Sequence, residues 1–281
     1  MSAPTTTDVV PPEPFGAPAD DPRPRGAASG RRAARPGPAG VLVGCSHGTA
    51  DPAGRATIHA LLAGVAAARP ELDVREAFVD VQQPEVADVV RDALADAGPD
   101  GGPVVVVPLL LSAGFHVHVD VAAAVEGTRA VAADPLGPDP RLVDLLLERL
   151  EQVGTGPRDA VVLAAAGSSD ARAAAAVERV VAELAARRGG DVSVGYGSGC
   201  DPRVPVAVAA ARERVERAGR GGRVVVASYL LAPGYFHDRL LEAGADVVTA
   251  PLGADRRLVQ IVLDRHLEQL GHLRLPAAAR S

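Results

Sequence analysis

The chain has 281 residues, more than one ordinary core needs, so two domains of modest size plus a tail are expected. It is 47% hydrophobic but only 2% aromatic, with no tryptophan, so its core must be built from Ala, Val and Leu. A net charge of -6 and the lack of a basic stripe interleaved with aromatics argue against a nucleic-acid binder; all 29 basic residues are arginine, a bias that carries no function.

Residues 1–39 are Pro, Ala, Gly, Asp and Arg with hardly any large apolar group. Such a stretch buries too little surface to offset the entropy of ordering, and it reads as a disordered leader. It lacks the apolar run of a signal peptide, and the longest apolar run further on, Val104 to Leu111, is too short to span a bilayer. Two cysteines, Cys45 and Cys200, form no disulfide framework, which fits a reducing cytoplasm.

From Gly40 onward short β-branched runs alternate with longer Ala/Leu/Arg/Glu stretches, the pattern of βαβ units around a parallel sheet. Strands are expected at Gly40–Val43, Val74–Asp80 and Val104–Leu111, and helices at Ala53–Ala68, Pro84–Ala97 and Arg141–Gln152. The pattern then restarts. Strands are expected at Ala160–Ala165, Val192–Tyr196, Val224–Leu231 and Asp246–Ala250, with helices at Ala171–Arg188, Val204–Ala218 and Arg256–Leu270.

The restart is an internal repeat. Leu110-Leu111-x-x-Gly114-Phe115 matches Leu230-Leu231-x-x-Gly234-Tyr235 at an offset of 120. Phe78 with Pro84 matches Tyr196 with Pro202 at 118, and Pro135-Leu136-Gly137 with Arg141-Leu142-Val143 matches Pro251-Leu252-Gly253 with Arg257-Leu258-Val259 at 116. The expected architecture is α/β: two tandem, similar Rossmann-like lobes with parallel sheets and a ligand cleft between them. The first lobe is placed at 40–156, the second at 157–272, and a short tail at 273–281.

Two of the seven histidines follow strands, where open α/β sheets place their ligands. His47 stands in Cys45-Ser46-His47-Gly48-Thr49 and His116 in Ser112-Ala113-Gly114-Phe115-His116. An imidazole pair on one rim can ligate a divalent metal or move a proton near neutral pH, and Asp80, at the end of a neighbouring strand, supplies a carboxylate. In the second lobe Gly167 stands where His47 stands and Phe236 where His116 stands, so chemistry is expected in the first lobe alone. His118 shares the facing of His116 if the strand continues. His59, His266 and His272 fall on helices and are read as surface residues, and Cys45 as a small buried thiol. No glycine-rich phosphate loop and no Gly-x-Ser-x-Gly elbow occurs, which weighs against a nucleotide-binding protein and a serine hydrolase.

These motifs resemble the sirohydrochlorin chelatase family, the CbiX-type class II chelatases in their long two-lobed form. His47-Gly48-Thr49 with Asp51-Pro52 is similar to that family's first-lobe His-Gly-Ser motif, and Pro108-Leu109-Leu110-Leu111-Ser112-Ala113-Gly114-Phe115-His116-Val117 to its second histidine motif. Phe78-Val79-Asp80 followed by Pro84 looks like its Phe-x-Glu segment, with Asp for Glu, and Leu230 to Asp238 resembles the second lobe of its long members. The resemblance implies nucleotide-independent insertion of Fe(II) or Co(II), as substrate and with no organic cofactor, into sirohydrochlorin. It implies His47 and His116 as catalytic residues, and His47, Asp80 and His116 as metal ligands. The many carboxylates of such a substrate would call for His118, Arg55, Arg203 and Arg239 around the cleft. Cytoplasmic action as a monomer or homodimer is expected, with neither nucleic acid nor membrane as partner. The alternative is a non-catalytic metal or tetrapyrrole carrier.

Overall fold

The computed structural model describes residues 40–99, 101–112, 115–219 and 221–274, apart from the side chains of 115–118 and 274. The leader 1–39 and the end of the chain from 275 lie outside the described residues.

Two four-stranded parallel sheets are built on one plan. In the first, β1 (Val41–Ser46), β2 (Asp73–Phe78), β3 (Val104–Pro108) and β4 (Val131–Ala132) lie in the order β2-β1-β3-β4. In the second, β5 (Ala160–Ala165), β6 (Val192–Tyr196), β7 (Val224–Tyr229) and β8 (Val247–Val248) lie in the order β6-β5-β7-β8. Between them run α1 (Pro52–Ala68), α2 (Val86–Ala97), α3 (Phe115–Val125), α4 (Pro140–Gln152), α5 (Ala171–Arg188), α6 (Val204–Ala218), α7 (Tyr235–Leu241) and α8 (Arg256–Arg274). The repeat in the sequence is thus a repeat of topology, and the architecture is the expected two-lobed α/β fold.

Local chemistry accounts for several boundaries. At the start of α1 the Asp51 carboxylate accepts from the Gly54 N–H at 2.8 Å with Pro52 in the first turn, and Asp139 with Pro140 opens α4 in the same way. Each such cap stabilises its helix by about 1 kcal/mol. The apolar run from Val104 is shorter as a strand than expected, because Pro108 has no N–H to give to the ladder. Helices α3 and α7 were not expected. Val117, Val119 and Val121 alternate with polar residues as they would in a strand, and α7 has only 7 residues.

The alternation of each buried strand decides which core it feeds. On β1 and β3, Val41, Val43, Cys45, Val104 and Val106 face α2 and α3, whereas Leu42, Val105 and Val107 face a central core. On β5 and β7, Ala160, Val162, Val224 and Val226 face α6 and α7, whereas Val161, Leu163, Val225, Ala227 and Tyr229 face the same central core.

That core is shared because the closing helices are exchanged. Helix α4, which follows the first sheet in sequence, packs on β7 of the second sheet beside α5, and α8 packs on β3 of the first sheet beside α1. An arginine clasp with two-fold character fastens the exchange. Arg149 Nε donates to Pro251 O at 3.1 Å and Arg265 Nε to Pro135 O at 2.9 Å, while Arg141 pairs with Asp264 at 2.6 Å and Arg257 with Glu148 at 2.5 Å.

His59 and His272 are exposed, as expected, but His266 is fully buried, with neither ring nitrogen hydrogen-bonded. The surface reading of His266 is therefore corrected: the exchange turns this face of α8 inward. Burial, with the Arg69 cation adding to it, pulls its pKa down to about 4. The unfolded chain takes up this proton near pH 6.5 and the folded one only near pH 4, so stability is complete above pH 6.5 and falls as pH drops from 6.5 to 4. A His266→Leu variant is expected to lose less stability between pH 7 and pH 4 than the wild type, by up to about 3 kcal/mol, in urea unfolding at the two pH values. Equal losses in both proteins would refute this.

Candidate active site

Parallel strands of each sheet end on one edge, and the carboxyl edges of the two sheets border a common cleft of about 420 Å³. His47 and the Leu109–Ser112 segment line it from the first lobe. Ala165–Ser169, Ser198, Gly199, Tyr229–Leu231 and Phe236 line it from the second. Among these lining residues the only imidazole is that of His47, in walls that are largely apolar with a fringe of serine hydroxyls. Such a pocket excludes water around a flat ligand and leaves polar work to few groups.

His47 lies one residue beyond β1, and the turn after β2 holds its loop. Val79 N–H donates to Ser46 O at 3.1 Å, Asp80 N–H to His47 O at 3.2 Å, and Thr49 N–H to Gln82 Oε1 at 2.8 Å. Gln82 N–H returns to Asp80 O at 2.5 Å across Val81, whose φ of 58° is a strained conformation for a β-branched residue. Strain of this sort persists where surrounding contacts over-determine it, commonly at functional sites. Asp80 is exposed and its Oδ1 accepts from the Val81 N–H at 2.7 Å, so its carboxylate also shapes the turn.

Gly48 makes this approach possible. Its φ is +92°, and a Cβ there would stand 2.4 Å from Asp80 O. Gly48→Ala is expected to cost at least about 1 kcal/mol and to push His47 away from the Asp80 turn. Thermal unfolding should show the loss, and an unchanged Tm with wild-type activity would contradict it. Cys45, just before this loop, is buried with its thiol pushed up to about 12 by desolvation and then by the Asp120 carboxylate, so it is an inert part of the core, as expected.

His116 and His118 fall in the first turn of α3, so the strand on which they would share a facing does not continue. Their side chains lie outside the described residues. Among the described residues no three His, Cys, Asp or Glu side chains gather closely enough to hold a metal. The structure brings His47 and Asp80 into one backbone-bonded pair of turns, and α3 begins at Phe115, beyond the Leu109–Ser112 segment that follows β3.

The three arginines stand elsewhere. Arg55 Nε donates to Thr49 O at 2.9 Å, Arg203 Nη1 to Gly197 O at 2.8 Å, and Arg239 pairs with Glu242 at 2.8 Å; none lines the cleft. Sequence reasoning passed over Ser168, Ser169, Ser198, Tyr229 and Phe236 as cleft residues. The signal for them was the repeat itself, since they stand at or just beyond the ends of second-lobe strands, at the positions where the first lobe carries its motifs.

Comparison with known proteins bears on the fold and the family. The CbiX family model matches residues 41–153 and again residues 160–269. A sirohydrochlorin cobaltochelatase of Sulfurisphaera tokodaii is 35% identical over 83 residues, spanning 28% of this chain and 67% of that one. Its counterpart in Sulfolobus acidocaldarius is 32% identical over 83 residues, spanning 28% and 65%. Among solved structures, SirB from Bacillus subtilis with Fe3+ superposes with a TM-score of 0.63 at 20% identity, covering 81% of this chain and 94% of that one. SirB of Bacillus subtilis subspecies spizizenii in complex with cobalt gives 0.65 at 19% identity, covering 83% and 95%. At that identity the superpositions speak for the fold, while the family model, matched once in each lobe across most of the described chain, establishes that this protein belongs to the CbiX family.

Proposed function

We propose that this chain inserts a divalent metal, Fe(II) or Co(II), into sirohydrochlorin without a nucleotide or an organic cofactor, acting in the cytoplasm. The observation that carries the reading is His47, held by the Asp80 turn, on the wall of a largely apolar cleft between the lobes. Insertion must remove water from the ion, take two protons from pyrrole nitrogens and pass the ion into the ring. Apolar walls accept a flat macrocycle and exclude water. His47 and His116 hold the ion through neutral imidazole nitrogens while leaving coordination positions open, and as the ion passes into the ring each freed imidazole takes one of the two pyrrole protons. Asp80 orients the His47 loop and stands ready as a third ligand.

The first lobe in this reading is 40–156 and carries the chemistry; the second, 157–272, supplies the opposite wall. The substrate's carboxylates meet serine hydroxyls inside the cleft, and Arg55, Arg203 and Arg239 act only from outside its lining, with His118 a further contact from α3. The test is anaerobic absorbance spectroscopy of sirohydrochlorin with Co(II) or Fe(II), with and without the protein. Insertion well above the buffer rate is the expected result. Tight binding of metal and ring at the spontaneous rate would make the protein a carrier.

A further inference from the structure

The two lobes repeat each other, but they do not treat the strand end that follows β3 and β7 alike. In the second lobe the carbonyl of Leu231 accepts from the N–H of Gly253 at 2.9 Å, a bond within that lobe. In the first lobe the matching carbonyl, Leu111, accepts instead from the Tyr229 hydroxyl at 2.9 Å, a bond that crosses from the second lobe. The residue that matches Tyr229 is Leu109, which has no hydroxyl, so the tether runs one way only.

The surroundings are shaped for it. Tyr229 sits at the end of β7 on the face that feeds the shared core and is 2% exposed. A Cβ on Gly137 would stand 2.2 Å from Leu111 O and 2.5 Å from the Tyr229 hydroxyl, so glycine leaves the room the bond needs. Burial also raises the hydroxyl's pKa above the ordinary tyrosine value, which keeps it a donor at working pH. The other edge of the site is braced from the same lobe, since a Cβ on Gly54 would meet Pro233 O at 2.7 Å and one on Gly234 would meet Thr49 Oγ1 at 3.3 Å.

We propose that Tyr229 is a positioning residue for metal insertion: through the Leu111 carbonyl the second lobe fixes the cleft wall Leu109–Ser112, from whose end α3 and His116 depart. The proposal rests on the insertion reading above and explains why a lobe without the histidines is retained: it sets the spacing of the two histidine-bearing segments. Removing a group that orients ligand-bearing backbone costs on the order of 10-fold in affinity or rate.

The experiment compares wild type, Tyr229→Phe, Gly137→Ala and Val180→Ala. Val180, buried in α5 away from the cleft lining, serves as a control for general loosening of the second lobe. Tyr229→Phe and Gly137→Ala should lower kcat about 10-fold with KM for sirohydrochlorin nearly unchanged, and should weaken Co(II) binding in absorbance titrations. Val180→Ala should lower Tm but keep both. Wild-type kcat and Co(II) affinity in Tyr229→Phe would overturn the proposal, as would an equal fall of kcat in Val180→Ala. A wild type no faster than buffer would instead refute the chelatase reading, and the Co(II) titration alone would then decide the tether, unchanged affinity overturning it.

Discussion

Replacing His47 with alanine is expected to slow metal insertion by about 100-fold or more while leaving Tm within about 2 °C of wild type. The two expectations have separate causes. His47 is exposed at the end of β1 and its loop is held by backbone bonds through Ser46 O, His47 O and Thr49 N–H, none of which needs the imidazole. The imidazole is, however, the only one among the described residues lining the cleft, so in the proposed mechanism its loss removes both a metal donor and a proton acceptor. Initial rates from the sirohydrochlorin spectrum, alongside thermal unfolding, check both. A variant that inserts metal at the wild-type rate would remove His47 from the mechanism, and one that unfolds early would give it a structural role instead.

The first lobe is expected to have no folded monomeric form on its own. Residues 40–156 include α4, whose buried Leu142, Leu145, Leu146 and Leu150 pack in the core shared with the second sheet, and they lack α8, which covers β3. Cut away, the fragment would expose the face of Leu42, Val105 and Val107 together with the apolar side of α4. At about 1.5–3 kcal/mol for each large side chain returned to water, the loss exceeds the whole stability of a small domain. Size-exclusion chromatography with light scattering and far-UV circular dichroism should find the fragment unfolded or self-associated, with α4 of one copy covering the sheet of another. Mixing it with residues 157–274 should restore a cooperative transition. A monomeric fragment that unfolds cooperatively by itself would refute the exchange.

Much of the fold, and the strand-end placement of the candidate residues His47 and Asp80, was legible because the relevant signals are local. His47 and Asp80 were placed by the ends of apolar strand runs, and the strands Ala160–Ala165 and Val192–Tyr196 and the helices Ala171–Arg188 and Val204–Ala218 have the expected bounds. Errors fell where local signals conflict. The alternating valines of α3 imitate a strand, and the apolar run from Val104 gives no sign of where sheet pairing stops except Pro108. The arginines named for an acidic ligand are engaged by nearby carbonyls and carboxylates and stand off the cleft lining, because a guanidinium with five donors takes the partners its own loop offers.

The sequence by itself determined the class of fold, the duplication and the strand ends at which His47 and Asp80 stand, since each depends on the order and periodicity of residues along one stretch of chain. Only the tertiary structure decided the exchange of α4 and α8, the burial of His266 on α8, and the bond from Tyr229 to Leu111 across 118 positions. The physical reason is shared. An amphipathic helix carries the same apolar stripe whichever sheet it covers, and an alternating strand states that a side chain is buried but not what it meets there. Partners are chosen when both lobes compete for the same helices, and that choice is made by the packing of the whole chain.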